Sequence, residues 1–168
     1  RAAFAAEMVS RHGFDPDGLT AVLGQARYRQ GIVDAMERPY ESMPWHRYRK
    51  IFLTPERIAG GLAYWRANAD TLERAQTVYG VSPETVVAIV GVETSYGQRV
   101  GDHRVLDALT TLGFGYPKRA DFFRGELESF LLLQREEGLD PALAKGSYAG
   151  ALGKPQFIPS SYRRFAVD

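Results

Sequence analysis

An all-α fold is what this sequence predicts. No stretch shows sustained alternation of apolar and polar residues, whereas apolar spacings of three and four recur along the chain. Two triplets, Thr54-Pro55-Glu56 and Ser82-Pro83-Glu84, place a capping hydroxyl, a proline and an acid where a helix begins. Glycine and proline then close the segments, as at Gly13, Gly80 and the GFGYP stretch ending at Pro117.

Taken in order, Phe4, Met8 and Val9 form a first stripe that Gly13 ends. A short helix follows from about Asp15 to Gln25, with Leu19, Val22 and Leu23 on one side, and Ile32, Val33 and Met36 give another piece closed by Pro39. The aromatic and basic segment PWHRYRKIF, Pro44 to Phe52, reads as an amphipathic packing segment with a solvated basic edge. Its His46 is a surface histidine, because no metal-binding partner lies at a suitable spacing. Thr54 opens what reads as the longest helix, carrying Ile58, Leu62, Trp65, Leu72 and Ala75 to near Gly80. Val105, Leu106, Leu109 and Leu112 make a compact amphipathic helix. Another runs from Pro117 to about Glu137 on a stripe of Phe123, Leu127, Phe130 and Leu131, with Glu126, Glu128, Glu136 and Glu137 as solvated charges.

At 168 residues the chain can bury the core of one domain. A net charge of +1 gives no electrostatic reason to expect nucleic acid or an anionic membrane as partner. Cysteine is absent, which excludes disulfides and thiolate chemistry and leaves the compartment open. No apolar run approaches membrane-spanning length. The chain starts at Arg1 with AAFAAEMV and no signal peptide, as expected of a mature or trimmed protein, so the missing leader is uninformative about location. There is no nucleotide-binding glycine loop, no HExxH, no metal-ligand cluster and no Ser-His-Asp set.

One ionisable residue stands out. In SPETVVAIVGVETSYG, the helix opened by Ser82 is apolar almost all round and is expected to be buried, and Glu93 lies near its end. Val86, Ile89, Val90 and Glu93 fall at i, i+3, i+4 and i+7, on one face. Burial and the helix C-terminus both disfavour a charged carboxyl, the condition for a general acid. The alternative is structural, with Glu93 reaching solvent at a fraying end or pairing with Arg99. Spacing leaves both open. Beyond Lys145 the texture changes to KGSYAGALGKPQFIPSSY, where small residues, aromatics, Ser147 and Gln156 suit either a carbohydrate site or a surface loop with a capping helix. Sequence does not separate groove from core for Tyr116, Tyr148 and Tyr162, and core is the favoured reading of each.

PWHRYRKIF, GVETSYG, RVLDALTTLGFGYPKRADFFRGELESFLL and KGSYAGALGKPQFIPSSYRRFAVD, in that order, resemble the lytic transglycosylases of the MltB type, which cleave bacterial peptidoglycan. The resemblance implies a lysozyme-like helical core at residues 56–168, apparently truncated at its C-terminal end, behind an N-terminal helical accessory region at residues 1–55. It assigns Glu93 as the single general acid and base, and Tyr48, Ser147 and Gln156 as groove residues. Lys118 and Arg119 match positions suited to stem-peptide carboxylates, with lysine at 118 where arginine is usual. Asp168 aligns with the first ligand of an EF-hand-like loop, so calcium is expected only in a longer chain, and the chemistry requires no cofactor. The implied partner is the glycan strand and the implied location the bacterial periplasm or cell envelope. The implied reaction cleaves the β-1,4 bond between N-acetylmuramic acid and N-acetylglucosamine and leaves a 1,6-anhydromuramoyl end. Rival readings are a hydrolytic muramidase and an inactive helical peptidoglycan-binding module.

Overall fold

Residues 1–38 and 43–166 are described by a computed structural model. Their elements run α1 (Ala2–His12), α2 (Pro16–Gly24), α3 (Gln30–Met36), α4 (Trp45–Tyr48), α5 (Pro55–Ala67), α6 (Ala69–Tyr79) and α7 (Pro83–Thr94). The chain continues through β1 (His103–Arg104), α8 (Val105–Gly115), α9 (Ala120–Glu136), β2 (Lys145–Gly146) and α10 (Pro159–Phe165). The all-α class holds. The two strands, which pair antiparallel with His103 opposite Gly146, are too short to carry an alternation. Pro39 and Asp168, both singled out in the sequence, lie outside the described residues.

The described chain forms two compact units. One contains Arg1–Arg38, Gly101–Leu152 and the residues from Phe157 onward; the other contains the described part of Pro39–Val100 together with Gly153–Gln156. Compactness thus groups residues otherwise than a division at 55/56.

In the first unit α8 is the central helix. Every residue from Val105 to Gly113 is buried, and α8 packs against α3 and α9. Two of its three polar residues, Asp107 and Thr111, are paired with donors that come mostly from the α2–α3 connection. The Asp107 carboxylate accepts from the Arg27 backbone N–H at 2.9 Å, from Arg29 Nε at 3.3 Å and from Arg104 Nη1 at 3.2 Å. Thr111 Oγ1 accepts from the Arg29 N–H at 3.1 Å. A buried carboxylate holds its place only when several donors replace its water, and the two from Arg27 and Arg29 tie the α2–α3 connection to the start of α8. Thr110 Oγ1 has no partner among the described residues.

The α9 stripe of Phe123, Leu127, Phe130 and Leu131 is buried as expected. Glu126 is not the solvated charge that its neighbours suggested. It is 4% exposed, and its two oxygens accept from the backbone N–H and the hydroxyl of Ser160 at 2.9 and 2.6 Å. Those donors open α10, whose first turn leaves N–H groups unpaired, and a carboxylate suits both the hydrogen bonds and the dipole. Glu136 lies at the surface, where it meets Arg163 of α10 through two hydrogen bonds.

In the second unit Thr54 and Ser82 cap α5 and α7 as expected, accepting from the N–H groups of Arg57 and Thr85. The single long helix expected from Thr54 to Gly80 is two helices. Asn68 leaves helical backbone at φ −124°, ψ 23°, and its side-chain amide donates to the Tyr64 carbonyl at 2.7 Å, a local bond that competes with the helix. α5 also turns a different face inward. Ile58 and Leu62 are exposed, whereas Gly61 is buried.

The Glu126 contact makes a stability prediction. Glu126→Ala leaves the Ser160 donors unpaired in a buried site and should cost about 2–3 kcal/mol, with Glu126→Gln costing less. Urea unfolding measures it, and a loss under about 0.5 kcal/mol would rank the contact with ordinary surface pairs.

Candidate active site

Two faces of α7 compete for the interior, and the less apolar one wins. Val87, Val90, Gly91 and Thr94 are buried, at i, i+3, i+4 and i+7. The stripe that the sequence favoured, Val86, Ile89, Val90 and Glu93, is displaced by one residue, about a hundred degrees around the helix. As a result Ile89 is 49% and Val92 47% exposed, and Glu93 is exposed. The expectation that a buried helix holds Glu93 in an apolar setting is therefore corrected. Its position near the helix C-terminus, as the penultimate residue of α7, stands. Among the described residues Glu93 forms no ion pair or hydrogen bond, so the Arg99 pairing is not present.

Tyr96 explains the choice of face. α7 ends in two left-handed residues, Ser95 at φ 52° and Tyr96 at φ 63°. Their N–H groups return to the Gly91 and Val90 carbonyls at 3.1 Å each, a Schellman-type closure made here without glycine. The turn swings the Tyr96 ring into a slot whose walls lack side chains. A Cβ on Gly91 would lie 2.7 Å from the ring, one on Gly61 2.8 Å from the hydroxyl, and one on Gly60 3.1 Å from the ring. The phenol donates to the Arg57 carbonyl at 2.8 Å, and Arg57 Nη1 donates to the Gly91 carbonyl. Side-chain residues in left-handed backbone cost free energy and persist only where surroundings hold them. The slot and these bonds hold them here.

The same unit contains Gln156 and Tyr48. Gln156 is itself left-handed, at φ 52°, and its Nε2 donates to the carbonyls of Val100 at 3.1 Å and Gly153 at 2.9 Å. Its amide oxygen has no donor among the described residues, which leaves an acceptor in a fixed orientation. Buried Thr94 reaches this segment through the Lys154 carbonyl. Tyr48, half-buried, stacks edge-on against Phe52 with centroids 5.1 Å apart. Its hydroxyl has no partner among the described residues.

Ser147, Lys118 and Arg119 belong to the first unit. Ser147 Oγ accepts from the N–H groups of Ala149 at 3.3 Å and Ala151 at 3.0 Å, so the hydroxyl organises its own turn and keeps its proton to donate. Lys118 donates to Glu37 at 2.6 Å, and that bond holds its ammonium above the ordinary lysine value. Arg119 stacks over Phe122, 4.2 Å from the centroid, and has no carboxylate partner among the described residues. The groups therefore fall into a set on the second unit (Glu93, Tyr48, Gln156) and a set on the first. No group of three or more acids or histidines suited to a metal occurs among the described residues.

Sequence reasoning missed Thr94, Tyr96, Arg57 and the three slot glycines. The available signal was Gly60, Gly61 and Gly91 inside helices, where glycine costs about 1 kcal/mol and asks for a packing reason.

The transglycosylase SLT domain profile matches residues 1–168. The chain belongs to this transglycosylase family. It is 47% identical over 175 residues to membrane-bound lytic murein transglycosylase B of Escherichia coli (strain K12), a match covering 98% of this chain and 48% of that protein. Among solved structures it superposes on the soluble lytic transglycosylase SltB1 from Pseudomonas aeruginosa with a TM-score of 0.96 at 49% identity, covering 99% of this chain and 57% of that one. SltB3 from Pseudomonas aeruginosa, determined in complex with NAG-NAM-pentapeptide, gives a TM-score of 0.90 at 28% identity, with 99% and 44% covered. The lysozyme-like helical class expected from the sequence is that of these relatives. The chain spans about half the length of the relatives it matches.

The slot yields a test with a change of sign. Gly125 in α9 has open space at its Cβ position, so Gly125→Ala should stabilise by up to about 1 kcal/mol through helix propensity. Gly91→Ala gains the same propensity but strikes the fixed ring, and should destabilise by a net ~1–2 kcal/mol, as overpacking does. Thermal melts of both variants decide it. Stabilisation by Gly91→Ala would show that the slot is not tight.

Proposed function

We propose that this protein is a lytic transglycosylase that cleaves the β-1,4 bond between N-acetylmuramic acid and N-acetylglucosamine in peptidoglycan. One observation carries the reading. In a chain of this family, Glu93 is an exposed, unpaired carboxyl on a helix end that Tyr96 locks in place. The complex of SltB3 with NAG-NAM-pentapeptide supports the substrate class.

In this mechanism Glu93 enters protonated and gives its proton to the glycosidic oxygen as the bond to muramic C1 breaks. Positive charge develops at C1, with the neighbouring N-acetyl carbonyl oxygen placed to share it. The Glu93 carboxylate then takes the proton of the same sugar's C6 hydroxyl as that oxygen attacks C1. A 1,6-anhydromuramoyl end forms, the proton lost in the first step is regained in the second, and no water is consumed. Most glycosidases need two carboxylates because water or an enzyme nucleophile must be handled separately. An internal hydroxyl removes that need, and no cofactor is required.

The Gln156 amide oxygen accepts an acetamido N–H, and Tyr48 presents a ring face and a free phenol to a sugar. Ser147 has its hydroxyl proton left to donate to substrate. Arg119, with no carboxylate partner among the described residues, binds a stem-peptide carboxylate in two-pronged fashion, and Lys118 contributes less because Glu37 already engages it. The site of action is murein in the bacterial cell envelope. No helix among the described residues is long and apolar enough to cross a membrane.

Glu93→Gln keeps the shape and removes the proton, so release of anhydromuropeptides from sacculi should fall by about 10²–10⁴-fold while binding persists. Chromatography of the digest reads both. Equal release by the parent protein and the variant would remove Glu93 from the reaction, and binding without release by either would favour a binding module.

A further inference from the structure

Thr94, next to the proposed acid, is among the most deeply buried polar residues of the chain, at 0% exposure. Helix stability gives no reason for a hydroxyl there, since a threonine that bonds back to its own helix is neutral or mildly destabilising. Yet Oγ1 is fully used. Its proton is shared between the Lys154 carbonyl at 2.9 Å and the Val90 carbonyl at 3.2 Å, the closer acceptor lying sixty residues away in sequence. The same oxygen accepts from the Gly97 N–H at 3.0 Å.

Lys154 belongs to the turn Gly153–Gln156, a short segment that joins the α7 unit from far along the chain. Gly97, at φ 86°, leaves room for the Lys154 side chain, whose Cε would lie 3.1 Å from an added Cβ. Within the turn the Gln156 amide donates to the Gly153 carbonyl, which fixes the side chain to the segment that Thr94 grips. One hydroxyl therefore links the helix end that carries Glu93 to the turn that carries Gln156.

We infer that Thr94 is a positioning residue, holding Gln156 in register with Glu93 so that the amide orients the sugar whose bond the carboxyl protonates. The inference rests on the function proposed above. Thr94 touches no substrate. It acts through two residues that do, so its loss reduces turnover more than ground-state binding.

Thr94→Val keeps the branched shape and removes the hydroxyl, and Thr94→Ser keeps the hydroxyl. With soluble glycan strands, Thr94→Val should lower kcat by about ten- to a hundredfold with little change in KM, as small misplacements do. Thr94→Ser should recover most of kcat. The side-chain amide NMR signal of Gln156, assigned by its absence in Gln156→Ala, should shift in Thr94→Val and return in Thr94→Ser. An unmoved Gln156 signal in folded Thr94→Val would overturn the inference, as would kcat equal to that of the parent protein. If the parent protein itself releases no anhydromuropeptide, the proposed function fails, and the NMR comparison still decides whether Thr94 holds Gln156.

Discussion

The ring of Tyr96, seated where three glycines omit their side chains, is the contact on which the second unit depends. Two helices cannot approach closely over large side chains, and α5 and α7 meet through Gly60, Gly61 and Gly91 with the ring between them. The phenol bonds the Arg57 carbonyl and Arg57 bonds the Gly91 carbonyl, so the ring is held by hydrogen bonds as well as by shape. Two consequences follow. The slot selects which face of α7 turns inward, and it stabilises the left-handed Ser95 and Tyr96 that stop the helix at Thr94. Glu93 is thereby left at a rigid end, facing out.

Rigidity at that point matters for chemistry. A general acid must lie within hydrogen-bond reach of one oxygen, and an error of an ångström is costly. A side chain on a fraying terminus would not meet that demand. Here the helix end is closed by backbone bonds from Ser95 and Tyr96, by the ring beneath them and by the buried Thr94 hydroxyl. The first unit uses the same device, with carboxylates where the second uses a phenol and a threonine. Asp107 gathers three donors at the start of α8, and Glu126 opens α10. In both units these paired polar groups fix where elements meet.

Local signals were legible in the sequence. The caps at Thr54 and Ser82, the stripe of α9 and the all-helical class could be read because each depends on neighbours in the chain. Burial was less legible. The apolar α7 exposes Ile89 and Val92, whereas α8, with an aspartate and two threonines, is buried along most of its length. Periodicity counts glycine and threonine as weak, yet Gly91 and Thr94 define the inward face because of a ring and a carbonyl supplied from elsewhere. Glu126 resembled Glu128 and Glu136 for the same reason: its partner Ser160 is remote in sequence. The break at Asn68 was hidden because asparagine is tolerated in helices until its side chain bonds the backbone. Of the candidate site, Glu93 was singled out through its isolation at a helix end and the motif around it, but its setting was misjudged. The residues that hold it were not recognised.

The central claim is that one carboxyl, fixed at the end of α7, serves as both acid and base with an internal hydroxyl as nucleophile. Digestion of sacculi in heavy-oxygen water tests it most directly, because the label reports whether solvent attacks muramic C1. The account predicts anhydromuramoyl ends that carry no heavy oxygen. Reducing muramic ends that carry one heavy oxygen each would contradict it.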